Sequence, residues 1–297
     1  MKSLKGRRIA SNVIIYVILT IMCIIWLVPI VWLVLQSFSA EGIAARARWY
    51  PSEWTFDNYK ALFANWTGFV HSGSVHTYDG KFTGWFLNTL IVAVLTTIIS
   101  TIFVLGTAYA LSRFRFKGRN AFMKVNLVIG MFPGFLSMII MYWVMKEIFH
   151  LAGSYWALVI IYSAGAGGGY YISKGFFDTI SKSIDEAAMI DGATRSQIFW
   201  KIILPLAKPI VIYTILTSFM APWGEYITSS YIIGLQNVDN WTVAIGLYKF
   251  MSDNDLMMSY YTQFAAGSVV VAIPIVTLFF CLQKYYVSGV TGGAVKG

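Results

Sequence analysis

The chain has 297 residues, of which 58% are apolar and only 12% charged, with a formal net charge of +9 and a mean hydropathy of +0.66. Soluble domains carry about 25% charged residues, so this composition excludes an ordinary soluble enzyme and points to lipid as the solvent. The basic excess has two readings, nucleic-acid binding or a bias of Lys and Arg toward one face of a membrane, and their placement along the chain decides between them.

A membrane-spanning helix needs about 20 apolar residues. The N-terminal "MKSLKGRR" is followed by a run from 9 to 40 without a charge. A signal-peptide core is about 7–15 residues long, so this run reads as a retained anchor, spanning 13–35. Residues 37–84 then form a long loop rich in Trp and Tyr. It reads as a folded cap, with "RWYP" as an aromatic belt at the membrane interface. His71 and His76 lie in this loop without a third metal ligand and read as solvated side chains. Further spans are expected at 85–111 and 122–145, joined by the basic hairpin "RFRFKGRNA", and at 154–173, 208–228 and 262–284. The fourth carries "AGAGGGYY", small residues that let helices approach closely inside a bundle. The fifth loses its charge-free character at Glu225. Cys23 and Cys281 sit in apolar runs and are expected to be buried thiols with no disulfide.

The expectation is an all-α membrane protein with six transmembrane helices. The first helix and its tail occupy 1–36, the outer loop 37–84, the core 85–284 and a tail 285–297. Placing the N-terminus inside puts 16 of the 22 Lys and Arg residues on the cytoplasmic side and 6 outside, while nine of the 13 acids go outside. This positive-inside asymmetry accounts for the net charge without nucleic acid and leaves both termini cytoplasmic.

The stretch "EAAMIDGATRSQIFWKIILPLAKP" (186–209) is polar and sharply punctuated. Ser183-Ile184-Asp185-Glu186 fits a capping box, Asp185 and Glu186 suit the positive end of a helix dipole, and Gly192 suits the left-handed conformation that ends a helix. Thr194 to Gln197 fits a second capping box, opening a helix through Ile198, Phe199, Ile202 and Ile203 toward Leu204-Pro205. The pattern encodes two short helices at a glycine corner. Their apolar spine, Ala187, Ala188, Ile190 and Phe199, needs a partner, either the rest of the bundle or a separate protein.

These residues resemble the EAA signature of permease subunits of binding-protein-dependent ABC importers. Glu186, Ala187, Ala188, Gly192, Ile202, Leu204 and Pro205 occupy its positions. Over most of its length the chain is similar to the MalG-type subunit of carbohydrate importers, with "NTL" at 88–90, "TAYALSRFRFKGR" at 107–119, "KGFFDTI" at 174–180 and the terminal "GAVKG". Ser181 stands where this family commonly has proline, and the loop 37–84 is long for the type. The resemblance implies an ABC type I importer permease fold in the bacterial cytoplasmic (inner) membrane. It implies that Glu186, Ala187, Ala188, Asp191, Gly192, Ala193, Phe199, Leu204 and Pro205 dock into a cytoplasmic ATPase. The tail residues Ala294, Val295, Lys296 and Gly297 would reach between the ATPase subunits. The implied partners are a homologous second permease subunit, an ABC ATPase dimer carrying ATP and Mg, an external solute-binding protein and an oligosaccharide.

No Walker A sequence, catalytic triad or metal cluster is present in the sequence, so no catalytic residue, metal or cofactor is expected on this chain. Aromatic faces suit sugar rings, which makes Trp223, Glu225 and Tyr226 substrate candidates, with Tyr142, Tyr170 and Asn88 behind them. A carboxylate near the membrane is costly unless wet or paired, which marks Glu225. An ion-coupled secondary transporter, or an importer of a non-sugar solute, is the competing reading.

Overall fold

The computed structural model describes residues 2–63, 81–165, 169–252 and 254–294. Among them every regular element is helical, and strand-like pairing is limited to an isolated bridge between Ser39 and Trp54. The chain divides into two compact units, one from residues 1–80 with 249–270, the other from 81–248 with 271–297.

In the first unit, helix α1 (Lys2–Ser37) is apolar on all sides and almost wholly exposed from residue 9 to 31. Such a helix belongs in lipid. Its end is locked by polar side chains. Trp32 Nε1 and Gln36 Nε2 both donate to the Arg48 carbonyl, at 3.1 and 3.0 Å. The Asn58 amide, from α2 (Asp57–Phe63), donates to the carbonyls of Ser37 and Ser39 at 3.0 and 2.8 Å. A helix end leaves its last carbonyls without partners, and Asn58 supplies one. Phe38 packs among Trp54, Phe56 and Tyr59. The first part of the 37–84 loop is therefore folded, with Trp49 and Tyr50 exposed. His71 and His76 fall outside the described residues.

The second unit is organised around α3 (Phe82–Arg113), which packs against α6 (Tyr155–Gly165), α7 (Tyr170–Thr179) and α10 (Lys208–Gly224). Its N-terminal end is clasped by the segment leading into α12 (Val243–Ser252). Trp85 Nε1 donates to the Val238 carbonyl at 2.8 Å. Asn88 donates to the carbonyls of Asp239 and Trp241 at 2.8 and 3.1 Å. The Thr89 hydroxyl accepts from the Val243 amide at 2.8 Å. Trp85 lies so flat against Gly246 that a Cβ there would sit 2.0 Å from its ring. The glycine is required by space, not by backbone angle.

Among the described residues three helices are long and apolar enough to cross a membrane: Arg8–Ser37, Phe82–Arg113 and, within α13 (Asn254–Ala294), Tyr260–Tyr285. Two of the other expected spans are interrupted. The window 122–145 is split into α4 (Arg119–Gly130) and α5 (Gly134–Trp143), because Pro133 lacks an amide hydrogen and disfavours helix in the residue before it. Of the window 154–173, α6 and the start of α7 are described, and residues 166–168 between them lie outside the described residues. In the third, α10 stops at Gly224, and α9 (Arg195–Leu206) meets it at a bend of 84°. The cysteines also depart from expectation. Both are free, as expected, but exposed instead of buried, because they sit on the bare outer faces of their helices.

Candidate functional site

The glycine corner forms as two short helices, α8 (Lys182–Ile190) and α9. The N-cap of α8 is Ser181, not Ser183. Its hydroxyl accepts from the Ser183 amide at 3.3 Å, so the expected Ser183–Glu186 box does not form. The serine standing in place of proline is thus the residue that opens the helix. The other end closes as a Schellman motif. The Ala193 amide bonds the Ala188 carbonyl at 2.9 Å, and the Gly192 amide bonds that of Met189 at 3.1 Å. Gly192 adopts φ +83°, the region that only glycine enters without strain. The second capping box forms as read, with the Thr194 amide on Gln197 Oε1 at 2.8 Å and the Gln197 amide on Thr194 Oγ1 at 3.3 Å.

The apolar spine divides between two faces. Ala188 is buried, while Ile190 is 87% exposed. Two positions on a helix turn by about 200°, so both cannot face the core. Ala188, Ala193, Phe199 and Leu204 pack into a cluster with Leu105, Ala108 and Tyr109 of α3 and Phe177 of α7. The Phe199 ring centroid is 4.7 Å from that of Tyr109. Glu186, Ala187, Asp191, Gly192 and Pro205 are exposed. With Met189, Ile190, Trp200 and Leu206 they leave an uncovered surface of mixed apolar and acidic character. Ile198 and Ile203 are both buried although five residues apart. The chain from Ile198 to Ile203 is π-helical, and its wider turn brings i and i+5 onto one face.

A buried polar network lies under the corner. Arg113 Nε is 3.1 Å from Asp185 Oδ2, with the two side chains 4% and 11% exposed. The pair is an ionic contact and not an aligned hydrogen bond. Arg113 Nη2 also donates to the Ile180 carbonyl at 3.0 Å. The Tyr109 hydroxyl donates to Asp185 Oδ1 at 3.4 Å. Beside them Asp178 accepts from Ser112 and from Lys174, each at 2.6 Å. Burial pushes the Asp178 carboxyl up, but the Lys174 and Ser112 hydrogen bonds and the Lys174 charge outweigh it and hold the group below the usual Asp range.

At the break between α10 and α11 (Ile227–Ile233) the Glu225 carboxylate accepts from the Tyr162 hydroxyl at 3.0 Å and from the amides of Thr228 and Ser229 at 3.0 and 3.1 Å. Trp223 is buried between Phe86 and Phe219. Tyr226 stacks on Tyr248, with centroids 3.9 Å apart.

Residues 102–292 match the family model described as the binding-protein-dependent transport system inner membrane component. The chain belongs to this family. Its relatives include the galactooligosaccharides transport system permease protein GanQ of Bacillus subtilis, 34% identical with all of both chains covered. The maltodextrin transport system permease protein MalD of Streptococcus pneumoniae is 33% identical, with 99% of each chain covered. The maltose/maltodextrin transport system permease protein MalG of Vibrio parahaemolyticus is 30% identical over all of this chain and 98% of its own. Among solved structures, one from a bacterial ABC transporter involved in alginate import superposes with a TM-score of 0.71. It has 23% identity and covers 93% of this chain and 96% of its own, which establishes a shared fold.

The permease places the sequence-derived corner residues on the α8–α9 corner but divides them, with Ala188, Ala193, Phe199 and Leu204 packed into the core and Glu186, Ala187, Asp191, Gly192 and Pro205 exposed. It does not bring the substrate candidates together. Trp223, Glu225 and Tyr226 share the α10–α11 break. Tyr142 packs on Tyr231 of α11, with centroids 5.2 Å apart. Asn88 is engaged in the clasp of α3. Tyr170 is buried against Tyr171 and lines a cavity of about 480 Å³ with Phe103, Thr107, Asn126 and Ser163. Ala294 ends α13, and Val295, Lys296 and Gly297 lie outside the described residues. Sequence reasoning missed Arg113 and Asp185 as a pair. The available signal was Tyr109 and Arg113 at i and i+4, one polar stripe on an otherwise apolar helix.

Proposed function

We propose that this chain is the transmembrane permease subunit of an ATP-driven importer of oligosaccharides, crossing the bacterial inner membrane six times with both termini cytoplasmic. The observation that carries this reading is the α8–Gly192–α9 corner. One face of it joins the core around α3, and the other presents Glu186, Ile190 and Trp200, exposed among the described residues. A face of that kind calls for a separate partner, and in a transport permease that partner is the ATPase dimer that binds ATP and Mg. Glu186 would meet a basic group there, and the residues after Ala294 would extend toward the same subunits. Names borne by the relatives, galactooligosaccharide and maltodextrin transport, support a neutral oligosaccharide as cargo. A second homologous permease subunit would complete the path, and an external binding protein would deliver the ligand. The helix pairs α4–α5 and α10–α11 then serve as broken spans, and the exposed α4–α5 break at Met131 and Phe132 would be covered by the second permease subunit. With Glu225 engaged by three donors, the acid that would be needed for ion coupling acts instead to hold the α10–α11 break.

The test is ATP hydrolysis in nanodiscs by the complex co-expressed with its neighbouring permease and ATPase subunits. Hydrolysis is measured with the binding protein and either galactotetraose or maltotetraose. Stimulation by one of these sugars, lost in Gly192→Pro while the ATPase still co-purifies, supports the reading. Stimulation that survives Gly192→Pro removes the corner from the mechanism.

A further inference from the structure

Resting on that reading, we infer that Arg113 is the positioning residue that makes the corner move as one body with α3. The corner reaches α3 in two ways. One is apolar, through Tyr109, Phe199, Phe177 and Ala188. Apolar contact is non-directional, so by itself it does not fix a unique orientation of the corner. The other is ionic, and it is centred on Arg113. Its guanidinium holds the chain at both ends of the α7–α8 turn, at the Ile180 carbonyl that closes α7 and at the Asp185 carboxylate inside α8. Two anchor points on one rigid, planar group fix the orientation of that turn relative to α3, which a single contact cannot do. Tyr109, one turn earlier on the same face of α3, holds the second Asp185 oxygen. Ser112 ties the end of α7 to α3 through Asp178.

Burial gives the link its stiffness. With both side chains largely removed from solvent, separating them would strand a charge without water, so partial displacement is disfavoured. The pair therefore stays made, and a push on the outer face of the corner turns α3 instead of shearing the interface. Packed elements of this kind shift as discrete units and are not continuously deformable.

The test uses the complex with its ATPase in nanodiscs, in a Cys23→Ser/Cys281→Ser background. Spin labels are placed at Ser196→Cys on α9 and Ile98→Cys on α3, and distances are measured with ADP and with ATP plus vanadate. The expected wild-type distance is the same in both states. In Arg113→Gln it should shift or broaden by about 2 Å or more between nucleotides, the scale of helix movements at interfaces. Arg113→Lys, which retains the charge but cannot hold Ile180 and Asp185 together, should show the same loss of rigidity, and it carries the test if the glutamine variant does not assemble. A distance as narrow and as nucleotide-independent in the variants as in wild type overturns the inference. So does a wild-type distance that changes with nucleotide. An ATPase that never binds the wild-type chain overturns the coupling reading and this inference together.

Discussion

The two ends of α3 are held by different physics. At the N-terminal end Trp85, Asn88 and Thr89 bond to backbone groups between Val238 and Val243, and the Trp85 ring fills the space that Gly246 leaves. At the C-terminal end Tyr109, Ser112 and Arg113 bond to the side chains of Asp178 and Asp185 and to the Ile180 carbonyl. The first end depends on volume and on neutral hydrogen bonds, its Lys81–Asp239 ion pair being exposed and so weak, and it tolerates no added atom. The second depends on charge, and it tolerates no lost one. A helix anchored by shape at one end and by charge at the other is fixed where it meets a folded segment and keyed where it meets a short, exposed corner.

The largest effect is expected at the charged end. Arg113→Leu leaves Asp185 buried without its partner and should destabilise the fold by about 3–5 kcal/mol, seen as a lower thermal midpoint of the purified complex. Arg113→Leu/Asp185→Leu should recover a large part of that loss. A double variant as unstable as the single one would mean that packing, not charge, holds this end. At the other end Gly246→Ala forces its Cβ into the Trp85 ring and should cost about 1–3 kcal/mol. Pairing it with Trp85→Leu should relieve the clash, and strict additivity of the two changes would show that the ring does not press on this glycine.

Smaller effects belong to the corner. A Cβ at Gly192 meets nothing within 4 Å, so Gly192→Ala should cost about 1 kcal/mol from backbone strain alone. Gly192→Asn should cost less, since asparagine tolerates the left-handed region. Equal losses for the two would point to a contact instead of an angle. Thr194→Ala removes one half of the capping box, about 1 kcal/mol, and Thr194→Ser should restore it. The weakest effect is a pH dependence. Asp178 is held below its unfolded value, so its contribution is fully present above about pH 4. It is lost as the pH falls through the lowered folded value. Lys174→Met removes the strongest of the contacts that lower it, so acid dissociation of the complex should begin at a higher pH. An unchanged acid midpoint would show that Ser112 and the Arg119 charge hold the carboxylate down without Lys174.

The corner was the most legible part of the chain. Gly192, Thr194 and Gln197 act through bonds to residues at most four positions away, and short-range chemistry of this kind is written in local sequence. The start of α8 was misread by two residues because Ser181 and Ser183 are both competent caps, and only the observed helix start selects between them. The π-helical turn from Ile198 to Ile203 was invisible to a search for a 3.6-residue period. Long apolar windows gave α1, α3 and α13, but composition does not reveal where a window is cut, and Pro133 and Gly224 mark two of those cuts. The Arg113–Asp185 pair was hidden for a simpler reason. The two residues are far apart in sequence, and their charges were read only for membrane sidedness and, for Asp185, for the helix dipole.

The exposure of Cys23 and Cys281 has a practical consequence. They are the only two thiols in the chain, one on α1 and one on α13, each exposed on an apolar stretch of helix. A thiolate is poorly solvated in hydrocarbon, so charged sulfhydryl reagents should pass both by, whereas a membrane-soluble maleimide should modify them. The native sequence thus supplies its own chemical gauge of which helices line the lipid, read out by mass spectrometry without changing a residue.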